Sequence, residues 1–101
     1  MEFDAFDWDD GNRDKCQKHG VSLAEIESRF RGAPLVGPDA NHSEVERRFR
    51  AIGVTAEGRS LFVVFTWRRA AKDLKIRPIS ARYMHEKEVQ AHAKEIPGVQ
   101  D

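Results

Sequence analysis

The sequence is poor in the residues that cross-link a chain or carry it through a membrane. Cys16 is its single cysteine, so no internal disulfide can form. Its longest apolar run, Leu61–Phe65, is far shorter than the ~20 residues that span a bilayer. No charged and then apolar leader with a small-residue cleavage site opens the sequence. We therefore expect a soluble, cytoplasmic protein in which Cys16 is a bystander thiol, with a redox sensor as the alternative.

Net charge is also lacking, but the charges are unevenly distributed. Lysine and arginine number 17 and so do aspartate and glutamate. Residues 1–46 carry a net charge of −6, whereas residues 47–82 hold ten bases and two acids, a net charge of +8. Such a basic segment indicates a surface that binds a phosphate backbone. A solvated charged face is the alternative.

The run Leu61–Phe65 is rich in β-branched and aromatic residues and predicts a central strand buried on both faces. Candidate strands lie on either side of it, at Val45–Val54 and Leu74–Ser80. Their alternation sends apolar side chains to one sheet face. The opposite face then carries the bases Arg48, Arg50, Lys75 and Arg77.

Helices are expected before and after these strands. Asp9 or Asp10 can cap a first helix that ends near His19. Ser22 and Glu25 form a capping box for a second helix, and Met84–Ile96 predicts a peripheral third. The order indicates one α+β domain over residues 1–101, with residues from about 97 onward as a tail. It has two layers, helices around a small antiparallel sheet of three to five strands.

Two irregularities are expected in the strands. Ile52 and Val54 break the alternation of the first strand, which predicts a bulge near Gly53. Pro78 has no N–H to donate to a neighbouring strand, which predicts an edge position or a bulge there.

Four short motifs together resemble the BrnT family, the toxins of type II toxin–antitoxin systems. The resemblance covers the chain from its start to about Glu88. The residues that carry it are Trp8-Asp9, Lys18-His19-Gly20-Val21, His42-Ser43-Glu44 with Glu46, Arg48, Phe49 and Ile52-Gly53, and Ile79-Ser80-Ala81-Arg82.

This resemblance implies a RelE-like fold and a metal-independent endoribonuclease that needs no cofactor and arrests translation. It also implies a BrnA-like ribbon-helix-helix antitoxin in a two-plus-two heterotetramer, with DNA bound only through the antitoxin and no contact with a membrane. Departures from the family pattern near Cys16 and at Pro78 leave an alternative open. That alternative is a catalytically degenerate module that binds the antitoxin and acts in transcriptional autoregulation.

Metal-free RNA cleavage needs cations for the negative charge on phosphorus and groups that move two protons. Arg48, Arg77 and Arg82 are our candidates for the cations, since a guanidinium forks onto two phosphate oxygens. Pairing with acidic side chains is their alternative role.

Histidine can exchange protons near neutral pH, so His19 and His42 are the candidate acid and base. The alternatives are a helix C-terminal cap for His19 and a structural hydrogen bond for His42. We expect the RNA to be bound by Lys18, Arg50, Lys75 and Trp67, with Trp67 stacking on a base. The sequence has no compact cluster of carboxylates or cysteines, so we expect no metal site.

Overall fold

A computed structural model describes residues 2–39 and 47–91 of the protein, and these form five strands and three helices of an α+β fold. In chain order the elements are β1 (Ala5–Phe6), α1 (Asp10–Gln17), α2 (Leu23–Arg31), β2 (Leu35–Pro38), β3 (Phe49–Val54), β4 (Ser60–Ala70), β5 (Asp73–Tyr83) and α3 (Glu86–Ala91). The α+β class expected from the sequence is confirmed.

The five strands form one sheet in the order β1-β5-β4-β3-β2. The apolar run of β4 is therefore central, as its composition predicts. Strands β2 to β5 pair in antiparallel fashion, but β1 pairs with β5 in parallel. The sheet is therefore mixed and not wholly antiparallel as expected, because the two-residue strand β1 is added beside β5 in parallel. No alternation pattern in the sequence marks β1.

The main core lies between one sheet face and the helices. Phe30 of α2 meets Phe65 of β4 edge to face, with ring centroids 4.8 Å apart. Both rings are fully buried, and burial of such a side chain stabilises the fold by about 1.5–3 kcal/mol. The other fully buried side chains of this core are Cys16, Val21, Ile26, Leu61, Val63 and Ile76.

The expected helix boundaries are confirmed where they rest on caps. The Asp9 side chain accepts a hydrogen bond from the Asn12 N–H, and the Asn12 side chain accepts one from the Asp9 N–H. Ser22 and Glu25 form the equivalent box at α2. Gly20 has φ +87°, a conformation that glycine adopts without a steric cost, and it turns the chain away after α1.

The expected bulge near Gly53 is wrong. Pairing of β3 with β4 runs without a shift from Phe49 opposite Phe65 to Val54 opposite Ser60. Ile52 breaks the alternation because the second sheet face has its own apolar patch, in which Ile52 is fully buried. The bulge expected at Pro78 is confirmed, since the β4–β5 register shifts between Val64 and Phe65, opposite residues 78–80.

Other boundaries differ from the expectation. Strand β5 continues beyond the expected end at Ser80 to Tyr83. Strand β4 extends beyond the apolar run Leu61–Phe65 to Ala70, and the turn to β5 consists of Ala71 and Lys72. The expected start of the first strand at Val45 and the end of the last helix at Ile96 lie outside the described residues. No helix in the described ranges is long and apolar enough to cross a bilayer.

Candidate active site

The sheet face opposite α2 carries the basic side chains. Residues directly opposite each other on paired strands project to the same face. Thr66 pairs with Arg77 and Phe62 pairs with Arg82. Arg50 pairs with Val64 on the same side. We call this surface the basic face; its charged members are Arg48, Arg50, Arg68, Lys75, Arg77 and Arg82, with Lys15 of α1 at its border. His19, two residues after the end of α1, lies at the same border.

One cavity of about 280 Å³ lies on the basic face near the end of α1. His19 reaches it from the turn after α1, and Arg82 reaches it from β5. Asp39, only 7% exposed, lies at its rim after β2. The remaining lining residues are Phe62, Val64, Ser80 and Ala81. We call it the His19 cavity.

Arg82 is held in this cavity by an ion pair to α3. Its Nη1 and Nη2 donate to the two carboxylate oxygens of Glu88 at 2.7 and 2.8 Å. The Glu88 carboxylate also accepts from the His85 N–H at 3.0 Å. These hydrogen bonds, that of Arg82 first, lower the pKa of Glu88 to about 2. The Arg82 guanidinium lies over the Phe62 ring, 4.7 Å from the ring centroid. Glu88 therefore holds the edge of the guanidinium, and Phe62 supports one of its faces.

A second cavity of about 330 Å³ adjoins the bulge in β5. Arg77 lines it together with Arg68 of β4, Arg48 just before β3, and Lys15 of α1. The other lining residues are Asp9, Gly11, Asn12, Pro78 and Ile79. We call it the Arg77 cavity. Four cationic side chains around one depression form a surface suited to phosphate groups.

Arg77 is positioned by two carboxylates from the segment before α1. Its Nη2 lies 2.8 Å from Asp9 Oδ2, and its Nη1 lies 3.4 Å from Asp7 Oδ2. The hydrogen bond from the Asn12 backbone and then that from Arg77 lower the pKa of Asp9. Asn12 donates from Nδ2 to the carbonyl oxygens of Asp7 at 2.9 Å and Pro78 at 2.8 Å, which ties α1 to β5.

The family model for BrnT, the ribonuclease toxin of type II toxin–antitoxin systems, matches residues 8–88. The chain belongs to the BrnT family. It is thus a member of a family of ribonuclease toxins, with RNA as the class of substrate and an antitoxin as the class of partner. No curated protein matches the chain.

The BrnT-family match includes every residue that lines the two cavities, and the structure groups four of the five residues expected to be catalytic into two pairs. The structure brings His19 together with Arg82 and Arg48 together with Arg77. Arg50 and Lys75 lie on the same face by register. His42 lies outside the described residues.

Two residues expected to bind RNA lie elsewhere. Lys18 is exposed at the C-cap of α1 and lines neither cavity. Trp67 pairs with Ile76 on the helix side, and its ring meets that of Phe65 edge to face at 5.7 Å. The structure therefore places the Trp67 ring on the sheet face opposite the basic face.

Sequence reasoning did not assign Lys15, Arg68, Phe62 or Glu88 to the site. Lys15 precedes His19 by four residues, and this short separation is a signal that could have grouped the two, although His19 lies two residues beyond the end of α1. Glu88 has no such signal, because its partner Arg82 lies on another element. Within residues 2–39 and 47–91, no three histidine, cysteine or acidic side chains are grouped closely enough to hold a metal ion.

Proposed function

We propose that this BrnT-family chain is a metal-independent endoribonuclease that cuts single-stranded RNA on its basic face and thereby inhibits translation. The observation that carries the proposal is the meeting of His19 and Arg82 in one cavity, beside a second cavity with Arg77 and Arg48. One group able to move protons thus lies next to cations suited to phosphate.

The proposed reaction is an internal transfer at phosphorus. The 2′-oxygen attacks the adjacent phosphorus while its proton passes to a base, and the bond from phosphorus to the 5′-oxygen breaks as that oxygen takes up a proton. The products are a 2′,3′-cyclic phosphate and a 5′-hydroxyl. His19 carries one of these protons, and His42 stays our candidate for the other.

The arginines stabilise the additional negative charge of the transition state. A cation contributes most when it is fixed before the reaction, because no energy is then spent on reorienting it. Ion pairs fix both Arg77 and Arg82, at 2.8 Å from Asp9 and 2.7 Å from Glu88. Each guanidinium has five N–H donors, so a paired arginine keeps donors for phosphate oxygens.

The proposal extends to the partner and to regulation. We propose a RelE-like arrangement of the fold, and neutralisation by a small BrnA-like ribbon-helix-helix antitoxin in a two-plus-two assembly that binds operator DNA through the antitoxin. A partner that covers the basic face would block both cavities at once. Acidic side chains are the natural complement of that face.

Cleavage of RNA by the purified chain in excess chelator tests the proposal. We expect cleavage of an RNA oligonucleotide and none of its 2′-deoxy counterpart, which lacks the nucleophile. His19→Ala and Arg82→Ala should each lower the rate about 100-fold. Arg69→Ala is the matched control, since Arg69 is exposed and pairs with Leu74 on the helix side; its rate should stay within about twofold of the unchanged chain.

Two results would contradict the proposal. One is loss of all cleavage when the chelator is added. The other is equal cleavage by folded His19→Ala, Arg82→Ala and Arg69→Ala chains, which indicates a contaminating nuclease. A folded chain without cleavage that still binds its antitoxin would identify the alternative, a degenerate antitoxin-binding module. Expression of the chain alone then separates the two, because only the ribonuclease reduces incorporation of labelled amino acids into protein.

A further inference from the structure

Within residues 2–39 and 47–91, the basic face carries one aromatic ring, that of Phe62, and the Arg82 guanidinium stacks on it. The aromatic side chains other than Phe62 pack on the helix side or are held by other groups. Phe30, Phe65 and Trp67 form one interlocked array there, and Phe3, Phe6, Trp8 and Phe49 pack against the same core. Tyr83 donates to the Glu25 carboxylate at 2.8 Å and lies under Arg59. Phe62 is different, because it pairs with Arg82 on the basic face and lines the His19 cavity.

Phe62 and Arg82 form a layered pair. The guanidinium carbon of Arg82 lies 4.7 Å from the centroid of the Phe62 ring, a contact of the cation–π type. The Arg82 side chain is nevertheless 38% exposed, and Arg82 lines the cavity, so a ligand can reach this side chain. Bases of single-stranded RNA stack both on aromatic rings and on guanidinium planes.

Glu88 fixes the orientation of this pair. Its two oxygens hold Nη1 and Nη2 of Arg82 from the edge, which leaves the guanidinium plane uncovered by the carboxylate. An exposed arginine without such a partner would lose several rotatable bonds of freedom when a base stacks on it. The paired arginine has lost that freedom already.

We propose that Phe62 and Arg82 form a subsite for one nucleobase of the RNA, and that Glu88 is the positioning residue that holds the Arg82 guanidinium in place. The inference rests on the proposed function for the identity of the polymer. It assigns the face of Arg82 to the base and leaves the remaining N–H donors of Arg82 for the neighbouring phosphate. The subsite places that phosphate beside His19, which lines the same cavity.

The test compares an oligonucleotide with bases to an abasic one. The probes are a fluorescent 2′-O-methyl oligonucleotide of mixed sequence, which lacks the nucleophilic hydroxyl, and an abasic 2′-O-methyl strand with the same number of phosphates. The measured ratio is the dissociation constant of the abasic strand divided by that of the strand with bases. It reports stacking alone, because both strands carry the same phosphate charges. Phe62→Leu removes the ring that supports the Arg82 guanidinium and should lower this ratio about tenfold, whereas Phe62→Trp keeps an aromatic ring there and should preserve the ratio.

Matched variants separate the subsite from a change in fold or charge. Phe49→Leu makes the same change on the helix side of the sheet and should leave the ratio unaltered. Glu88→Gln should lower the ratio, whereas Glu86→Gln, with the same change of charge in the same turn of α3, should not. Circular dichroism checks that each variant is folded.

A ratio that stays unchanged in folded Phe62→Leu would overturn the subsite. A ratio that Glu88→Gln and Glu86→Gln leave equally unaltered would overturn the positioning role of Glu88. Failure of the proposed function gives a different result: no cleavage of the 2′-hydroxyl RNA, with the base-dependent binding still present and still lost in Phe62→Leu.

Discussion

The ion pair between Arg82 and Glu88 predicts a specific dependence of stability on pH. Glu88→Gln removes the charge of the carboxylate and retains its size. The pKa of Glu88 falls from 4.5 to about 2 in the folded chain, mainly through its hydrogen bonds to Arg82. If the whole shift appeared as stability, it would correspond to about 3 kcal/mol at 1.36 kcal/mol per pKa unit.

Solvent reduces this value. The Glu88 and Arg82 side chains keep 33% and 38% of their exposure, and exposed ion pairs contribute about 1 kcal/mol or less. The two-pronged geometry places this pair at the upper end of that range. We therefore expect Glu88→Gln to lower the free energy of unfolding at pH 7 by about 1 kcal/mol, with a fall in the melting temperature of about 5 °C.

The pH dependence follows from the direction of the shift. Because the folded pKa lies below the ordinary value of 4.5, the stabilisation is fully present above pH 4.5 and is lost as the pH falls towards 2. We propose urea unfolding of the unchanged chain and of Glu88→Gln at pH 7, 5, 4 and 3. The difference between their free energies of unfolding should become smaller as the pH falls. Glu86→Gln is the control, since Glu86 is an exposed acid in the same first turn of α3. Equal stability of the Glu86→Gln and Glu88→Gln chains at pH 7, or a difference that does not narrow, would refute the reasoning.

Two further predictions concern α1. Burial raises the pKa of the Cys16 thiol to about 11, so iodoacetamide at pH 8 should modify Cys16 only after unfolding in urea; rapid modification of the native chain, followed by mass spectrometry, would restore the redox-sensor interpretation. Asn12→Ala removes two hydrogen bonds from the Asn12 Nδ2 and leaves the Pro78 carbonyl without its donor. It should lower the free energy of unfolding by about 2–3 kcal/mol in a urea titration, and a loss below about 0.5 kcal/mol would contradict the role given to this contact.

The parts of the fold that the sequence predicts are those set by local chemistry. The caps at Asp9 and Ser22 satisfy N–H groups within three residues, so their signals lie in short stretches. The central position of β4 follows from its unbroken apolar run. The basic face follows from the alternation in β3 and β5, because a period of two fixes which side chains share a face.

The parts that the sequence does not predict depend on contacts between distant residues. Strand β1 has two residues, and its parallel pairing with β5 joins positions 70 residues apart, Ala5 with Lys75. The placement of α1 beside β5 rests on the hydrogen bond from Asn12 to Pro78. Glu88 is only six residues from Arg82, but it enters the site through an ion pair between two different elements, α3 and β5, which no pattern in the sequence marks. The contact between Asn12 and Pro78 places α1 beside the Arg77 cavity, and the contact between Glu88 and Arg82 orients Arg82.

The bulge in β5 explains why two arginines that local alternation separates act on one surface. Arg77 and Arg82 are five residues apart, and in a regular strand an odd separation sends side chains to opposite faces. Between them the register shifts by one residue, so that Arg77 lies opposite Thr66 and Arg82 lies opposite Phe62, four residues earlier in β4. Both guanidinium groups therefore project from the basic face. Pro78 favours this irregularity because it has no N–H for the ladder. The residue that departs from the BrnT-family pattern at this position is thus compatible with the site, and it lies within the bulge that joins the Arg77 and His19 cavities on one face.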